Sequence, residues 1–205
     1  GMPGDGERLE RMRATIRREA AALEQVAAAL DPSAAAAVDL LVATKGHVLV
    51  GGAGTSNAVA RRFAHLLSCS GQPAVFLHPA DSLHGSSGAV RPEDTVILIS
   101  KGGTTLEVNR FAAIVRQRGA KIIAFTETPD SELGRLADAV VKVKIPADSD
   151  PFGMVATSSS LANSAVADAI CETILFEKGY TREAFATTHP AGAVGERIQR
   201  EGILK

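Results

Sequence analysis

The fold class of this chain is decided by the stretch Val48-Leu49-Val50-Gly51-Gly52-Ala53-Gly54-Thr55-Ser56-Asn57. Its three leading apolar residues do not alternate with polar ones, which is typical of a strand buried on both faces of a sheet. The glycines that follow allow a tight turn, and a segment with helical spacing begins at about Ser56. The stretch therefore predicts a parallel strand, a glycine-rich turn and the N-terminus of a helix.

The same alternation of short apolar run and helical segment continues along the chain. The apolar runs are residues 47–52, 74–77, 95–100, 121–126 and 139–145. Helices are expected at about 56–70, 105–118, 131–136 and 158–178, with a short helix after 193. This alternation predicts an α/β fold, a three-layer αβα sandwich around a five-stranded parallel sheet. We expect the flavodoxin-like strand order 2-1-3-4-5.

Two further helices are expected before the first strand. Residues 7–30 are charged at first and then alanine-rich, with apolar residues at helical spacing, and Asp31-Pro32-Ser33 separates them from a second helix at about 34–44. We interpret residues 1–44 as an N-terminal helical arm that packs on the domain or on a neighbouring subunit. Residues 45–205 are then a single domain.

The overall composition excludes several classes of protein. The chain has 205 residues, of which 45% are hydrophobic and 22% charged, close to the globular average. Its net charge of −1 gives no basic excess for nucleic acid, and no apolar run reaches the ~20 residues of a membrane span. Two cysteines outside any C-x-x-C motif fit reduced thiols. We expect a cytoplasmic protein with neither a nucleic-acid nor a membrane partner.

A second hydroxyl-rich turn follows the third expected strand. It reads Ser100-Lys101-Gly102-Gly103-Thr104-Thr105 and leads into a helix, as the first turn does. In each turn, an anion could approach the backbone closely and meet hydroxyl donors and the positive N-terminus of a helix. In the expected strand order, strands 1 and 3 flank the point at which ligands bind. The chemistry predicts a phosphate on a small polar molecule, although two ordinary strand-to-helix turns would have the same spacing.

The first turn does not complete the dinucleotide-binding fingerprint. Gly52 and Gly54 fit its first two glycines, but Asn57 occupies the third position and no acidic residue ends the second strand. A nicotinamide-dependent oxidoreductase is therefore disfavoured. The five histidines have no compact metal-ligand spacing, so we expect no metal site.

Several ordered motifs resemble the SIS (sugar isomerase) domain family. The segments are Gly52-Ala53-Gly54-Thr55-Ser56 (G-x-G-x-S), His78-Pro79-Ala80-Asp81-Ser82-Leu83-His84-Gly85 (H-P-x-E-x-x-H-G), Ser100-Lys101-Gly102-Gly103-Thr104-Thr105 (S-x-S-G-x-T), Ala156-Thr157-Ser158-Ser159 and Thr188-His189-Pro190-Ala191-Gly192-Ala193. The second and the last two segments resemble the KpsF/GutQ group, the arabinose-5-phosphate isomerases. Many members of that group carry two CBS domains after the SIS domain, and we expect this chain to lack them.

The resemblance implies roles for individual residues. The residues expected to bind a phosphosugar are Gly54, Thr55, Ser56, Ser100, Lys101, Gly103, Thr104, Thr105, Thr157 and Ser158. The expected catalytic residues are His84, Glu107, Asp148 and His189, at positions where the isomerases carry His, Glu, Glu and His. It also implies a homodimer or homotetramer with sites near the subunit contacts, and no cofactor.

The chain departs from the isomerases within the two turns. They have a lysine where Thr55 stands, Asn-Ser where Lys101-Gly102 stands, and Glu where Thr104 stands. We hypothesise that Lys101 supplies the missing positive charge from the opposite wall of the crevice. Asp148 is one methylene shorter than the Glu of the isomerases.

Each candidate also has a simpler interpretation. Thr104-x-x-Glu107 is a capping box, in which the Glu only satisfies a backbone donor. Residues 157–160 could cap the long helix. His84 could be a surface turn residue that is hydrogen-bonded to backbone, and a loop histidine such as His189 is more often solvated than catalytic. We predict an aldose–ketose isomerase that acts through an enediol. The alternative is a non-catalytic phosphosugar sensor, which would need the phosphate turns but not the two histidines or Glu107.

Overall fold

The strands form one parallel sheet in the middle of the molecule. In the computed structural model, which describes residues 2–204, the strand order is β2-β1-β3-β4-β5, and every neighbouring pair is parallel. The strands are β1 (Val48–Gly52), β2 (Ala74–Phe76), β3 (Thr95–Ile99), β4 (Lys121–Thr126) and β5 (Ala139–Lys142). The predicted fold class and strand order are confirmed.

Helices connect the strands and cover both faces of the sheet. The α-helices are α1 (Asp5–Ala29), α2 (Pro32–Ala43), α3 (Thr55–Cys69), α4 (Pro79–Ser82), α5 (Leu106–Gln117), α6 (Glu132–Leu136), α7 (Ser158–Glu177), α8 (Arg182–Thr187) and α9 (Gly192–Glu201). The sequence did not predict α4 or α8, because neither is long enough to show a helical period. Both begin at a local cap: His78 Nδ1 accepts from Ala80 N, and Thr181 Oγ1 accepts from Ala184 N.

Alternate residues of the three central strands, β1, β3 and β4, point into two separate cores, as the pleat of a strand requires. On one face, Val50 and Ile97 pack with α1, α2, α3 and α7. On the other, Leu49 and Leu98 pack with α5 and α6. Since each fully buried aliphatic side chain contributes about 1.5–3 kcal/mol by leaving water, burial on both faces explains the unbroken apolar runs. This arrangement is the predicted αβα sandwich.

The two N-terminal helices share the first of these cores. Val26 of α1 and Leu41 of α2 are buried there, whereas Met12 and Ile16, nearer the start of α1, are exposed. The division into an arm and a domain at residues 44 and 45 stays a prediction. Within residues 2–204, no single helix has both the length and the apolar composition of a membrane span; α1 and α2 meet those limits only jointly, across an 82° bend.

Candidate functional site

Both hydroxyl-rich turns lie at the same edge of the sheet, side by side. Gly52, the last residue of β1, is in register with Ile99, the last residue of β3. In the sheet, β2 lies on one side of β1 and β3 lies on the other. The strand order therefore reverses between β1 and β3, and this switch point is where such folds bind ligands. The two turns therefore begin next to each other, and we call the space between them the crevice.

The first turn brings the N-terminus of α3 to this crevice. Gly54 precedes the helix with φ 59° and ψ −130°, a backbone conformation that favours glycine. A Cβ on Gly52 would lie 2.8 Å from the carbonyl oxygen of Ser56, so glycine is also needed for the close turn. Thr55 is exposed and Ser56 half-buried. The free N–H groups of this helix end are suited to bind an anion.

The second turn gathers two hydroxyl groups. Ser100 is only 3% exposed, and its Oγ lies 3.1 Å from Oγ1 of Thr105. Ser100 Oγ also accepts a hydrogen bond of 3.2 Å from Gly103 N, which closes the turn. Gly103 has φ 68°, and a Cβ there would overlap the hydroxyl of Ser131. Thr104 is exposed at the tip of the turn.

Glu107 lies in the first turn of α5, beside the second turn. The helix begins at Leu106, and its N-cap residue, Thr105, makes no side-chain capping bond. The alternative interpretation of Thr104 and Glu107 as a capping box does not hold, because Thr105 rather than Thr104 occupies the N-cap. Glu107 is exposed at the crevice, and its carboxylate is not used to cap the helix.

A buried carboxylate joins the second turn to the N-terminus of α7. Asp150 is 2% exposed, and its Oδ1 accepts a 3.1 Å hydrogen bond from Ser159 N. Its Oδ2 accepts from the Ser159 hydroxyl and from Lys101 Nζ, the latter at 3.4 Å. Burial by itself raises the pKa of Asp150, but the Ser159 hydrogen bonds and the Lys101 charge outweigh it and hold that pKa below its usual range.

Asp148, rather than Asp150, is the carboxylate that the sequence predicted for the site in this segment. Asp148 is exposed. No sequence pattern marks Asp150, because its partners Lys101 and Ser159 lie 49 and 9 residues away along the chain. The nearest signal is the run Asp148-Ser149-Asp150-Pro151, which does not tell which of its two acids is buried.

The two residues predicted to bind the ligand at the start of α7 differ in burial and in their hydrogen bonds. Thr157 is half-buried at the N-cap of the helix. Ser158 is buried, and its hydroxyl donates to the carbonyl oxygen of Ser149 at 2.9 Å. The Ser158 hydroxyl therefore holds the loop before α7, and Thr157 is the more open of the two.

The two histidines of the 78–85 segment differ in their contacts. A Cβ on Gly51 would contact Leu77 and Pro79, so this segment passes close to the end of β1. His78 caps α4 by accepting a hydrogen bond from Ala80 N through Nδ1. His84 is exposed after α4, on the same side of the sheet as the two turns.

His189 lies away from the crevice of its own chain. Its ring stacks on Phe185 with centroids 3.7 Å apart, and Nδ1 lies 2.9 Å from the Phe185 carbonyl oxygen. Its Nε2 lies 3.6 Å from Sγ of Cys69, the last residue of α3. Since an α-helix rises about 1.5 Å per residue, Cys69 is about 20 Å from the start of α3. The chain does not bring His189 to its own phosphate turns.

Across residues 2–204, no group of three or more His, Cys, Asp or Glu side chains is placed to hold a metal ion. The crevice instead combines a helix N-terminus, converging hydroxyls, one lysine and free carboxylates. These features are those of an α/β protein whose sheet edge is suited to bind a small anion. The chain belongs to the SIS domain family, whose profile matches residues 41–172.

Individual relatives extend this assignment. The chain is 32% identical over 184 residues to the arabinose 5-phosphate isomerase KdsD of Pseudomonas aeruginosa, an alignment that covers 90% of this chain and 56% of the relative. It thus spans about half the length of the curated relatives it matches. The resemblance to the arabinose-5-phosphate isomerase group is confirmed at this level.

Two solved structures are similar over their whole length. A provisionally named sugar-phosphate isomerase of Listeria monocytogenes superposes with a TM-score of 0.89 at 34% identity, covering 93% of this chain and 100% of that one. An Escherichia coli CFT073 protein in complex with arabinose 5-phosphate superposes with a TM-score of 0.88 at 28% identity, covering 92% and 100%.

Proposed function

We propose that this protein is an aldose–ketose isomerase that acts on a pentose or hexose phosphate through an enediol, as the arabinose-5-phosphate isomerases it resembles imply. The observation that carries the proposal is the pair of hydroxyls, Ser100 Oγ and Thr105 Oγ1, 3.1 Å apart beside the N-terminus of α3. Hydroxyl donors and free helix N–H groups together match the oxygens of a phosphate. The similarity to a protein in complex with arabinose 5-phosphate supports the same ligand class.

In this proposal, the phosphate binds to Ser56, Ser100 and Thr105, with the Gly54 and Gly103 backbone giving close approach. Isomerisation then moves one proton between C1 and C2 and a second between the hydroxyl and carbonyl oxygens. Glu107 is the proposed base at carbon, because its carboxylate is exposed beside the second turn and does not cap α5. His84 and Asp148 are proposed for the proton transfers at oxygen. The reaction is redox-neutral and calls for no organic cofactor.

His189 can join this mechanism only from a neighbouring subunit. Its ring is held against Phe185 and Cys69, about 20 Å from the start of α3 by helix length. We therefore include in the proposal a homodimer or homotetramer in which His189 of one subunit faces the crevice of the next. A cytoplasmic location completes the proposal.

The distance of His189 from its own crevice also favours the second candidate, a non-catalytic phosphosugar sensor. A proton-exchange experiment distinguishes the two candidate functions. The protein is incubated in D₂O with a panel of pentose and hexose phosphates, and the C1 and C2 protons are followed by NMR. An isomerase exchanges deuterium into its substrate even when net conversion is small.

The expected result is exchange with one sugar phosphate and none with its unphosphorylated sugar. A Glu107→Gln variant is the matched control, because it keeps the shape of the side chain and removes the base. Binding of a phosphosugar without any exchange would reject the isomerase and leave the sensor. Neither binding nor exchange across the panel would reject both.

A further inference from the structure

The Lys101–Asp150 pair connects two walls of the crevice. Lys101 directly follows Ser100 in the second turn, and Asp150 lies in the segment between β5 and α7. The Lys101 side chain is 46% exposed, whereas that of Asp150 is 2% exposed. The ammonium group therefore lies between the second turn and the start of α7, with the carboxylate behind it and solvent in front.

Asp150 is itself firmly held. Both of its carboxylate oxygens accept hydrogen bonds from Ser159, one from the backbone N–H and one from the hydroxyl. Ser159 is in the first turn of α7, whose free N–H groups favour a negative charge. The carboxylate thus occupies this helix end and is kept ionised there, so it can orient a cation without moving.

The backbone of Lys101 is fixed as well. Its carbonyl oxygen accepts hydrogen bonds from Thr126 Oγ1 at 3.0 Å and from Glu127 N at 2.9 Å. The freedom that remains is in the four-carbon side chain, which carries a large rotamer entropy when it is unrestrained. An ammonium group has three N–H donors, and the bond to Asp150 uses one of them.

We propose that Asp150 is a positioning residue that holds the Lys101 ammonium over the second turn, where its remaining N–H donors bind the phosphate of the phosphosugar. This inference rests on the proposed function and assigns a role to a residue outside the predicted set. It also gives a structural reason for the lysine of this turn, since the chain has Thr55 where the isomerases it resembles carry a lysine.

Removing the Asp150 charge has two opposite effects, one electrostatic and one entropic. A carboxylate near a bound phosphate repels it, so a purely electrostatic role predicts that Asp150→Asn strengthens phosphate binding. A positioning role predicts the reverse, because an unrestrained Lys101 must lose its rotamer freedom when the ligand binds. The sign of the change in affinity therefore distinguishes the two roles.

The test is isothermal titration with arabinose 5-phosphate, with unphosphorylated arabinose as control ligand. The proteins are the wild type, Asp150→Asn, Lys101→Met and the double variant. We expect Asp150→Asn to weaken binding about tenfold and Lys101→Met at least as much. The double variant should bind within about twofold of Lys101→Met, because Asp150 acts through Lys101.

Two results would overturn the inference. One is tighter or unchanged binding in Asp150→Asn. The other is a double variant in which Asp150→Asn weakens binding by the same factor as it does in the wild type, so that the effects of the two substitutions on affinity multiply. If the wild type binds no sugar phosphate at all, the proposed function fails first and the inference fails with it. Binding by the wild type with either of the two results rejects the inference alone.

A second measurement does not depend on how well Asp150→Asn folds. In mildly acidic buffer at low temperature, where proton exchange with water is slow, the side-chain ammonium of a lysine held in an ion pair gives a ¹⁵N–¹H NMR signal, which is assigned by its loss in Lys101→Met. The inference predicts this signal in the wild-type protein and a change in its shift on addition of arabinose 5-phosphate. Its absence in the free protein, or a shift that stays the same with saturating ligand, contradicts the inference.

Discussion

Ser100 Oγ and Thr105 Oγ1 lie 3.1 Å apart across the second turn, one hydroxyl at the end of β3 and the other at the N-cap of α5. Because the same turn binds its own backbone through Gly103 N, the two hydroxyls stay together without a ligand. One hydroxyl donates to the other, so the pair has one O–H free for a ligand. The oxygens of a bound phosphate could replace this mutual bond and accept from both hydroxyls.

The first prediction concerns this pair. Ser100→Ala or Thr105→Val should raise the KM for a phosphosugar about tenfold to a hundredfold, since a hydrogen bond to a charged group contributes about 1.5–3 kcal/mol. The effect should be small on kcat. The measurement is steady-state kinetics, or titration if the protein only binds. Thr173→Val, on the exposed side of α7, is the control and should leave KM unchanged; equal KM values in all variants would remove the pair from the site.

Glu107 gives the second prediction. Glu107→Gln should lower kcat by about 10²–10⁴-fold if the carboxylate is the base at carbon. The melting temperature should hardly change, because Glu107 does not cap α5. Glu172→Gln, an exposed acid on α7, is the matched control. A large drop in melting temperature with little change in kcat would show instead that Glu107 has a structural role.

The position of His189 leads to a mixing experiment. His189→Ala should lower kcat by about 10²-fold or more if it transfers protons, and so should Glu107→Gln. If His189 acts in the crevice of a neighbouring subunit, mixed oligomers of these two inactive variants contain some crevices with both wild-type residues. Mixing should then restore part of the activity. Near-normal turnover of His189→Ala alone would remove the residue from the mechanism.

The ionised state of Asp150 predicts how stability depends on pH. Its folded pKa is lowered, so it contributes stability above its unfolded pKa of about 3.9, and that contribution is lost as the pH falls through the folded pKa. Wild-type protein should therefore lose more unfolding free energy between pH 6 and pH 3 than Asp150→Asn does. Urea unfolding at several pH values measures this. Parallel curves for the two proteins would show that Asp150 is not the group responsible.

A glycine pair tests the geometry of the second turn. Gly103→Ala places a Cβ at a positive φ and against the Ser131 hydroxyl, and it should lower the unfolding free energy by about 2–4 kcal/mol. Gly102→Ala is its neighbour and control, because a Cβ there meets only Thr104 Oγ1 at 3.5 Å. Chemical denaturation compares them. Equal stabilities would mean that the turn has a different backbone conformation in solution.

The features that were predicted well from the sequence are those set by local physics. The strand β3 was found from its apolar run because both of its faces are buried, and the turn at Gly54 from its glycines. The features that were missed depend on contacts between distant segments. Asp150 meets Lys101 across 49 residues, and His189 meets Cys69 across 120. The capping box was not found because α5 begins at Leu106, one residue later than the sequence pattern indicated.

The pairing of Gly52 with Ile99 has a consequence for binding kinetics. Because the two turns leave neighbouring strands of one hydrogen-bonded ladder, the sheet fixes the distance between the points at which they begin, about 4.8 Å, and the helices that follow them pack on opposite faces of the sheet. The receptor is preorganised, and a ligand that spans both turns does not have to order it first. We expect association to be fast, and differences in affinity among sugar phosphates to appear mainly as differences in dissociation rate.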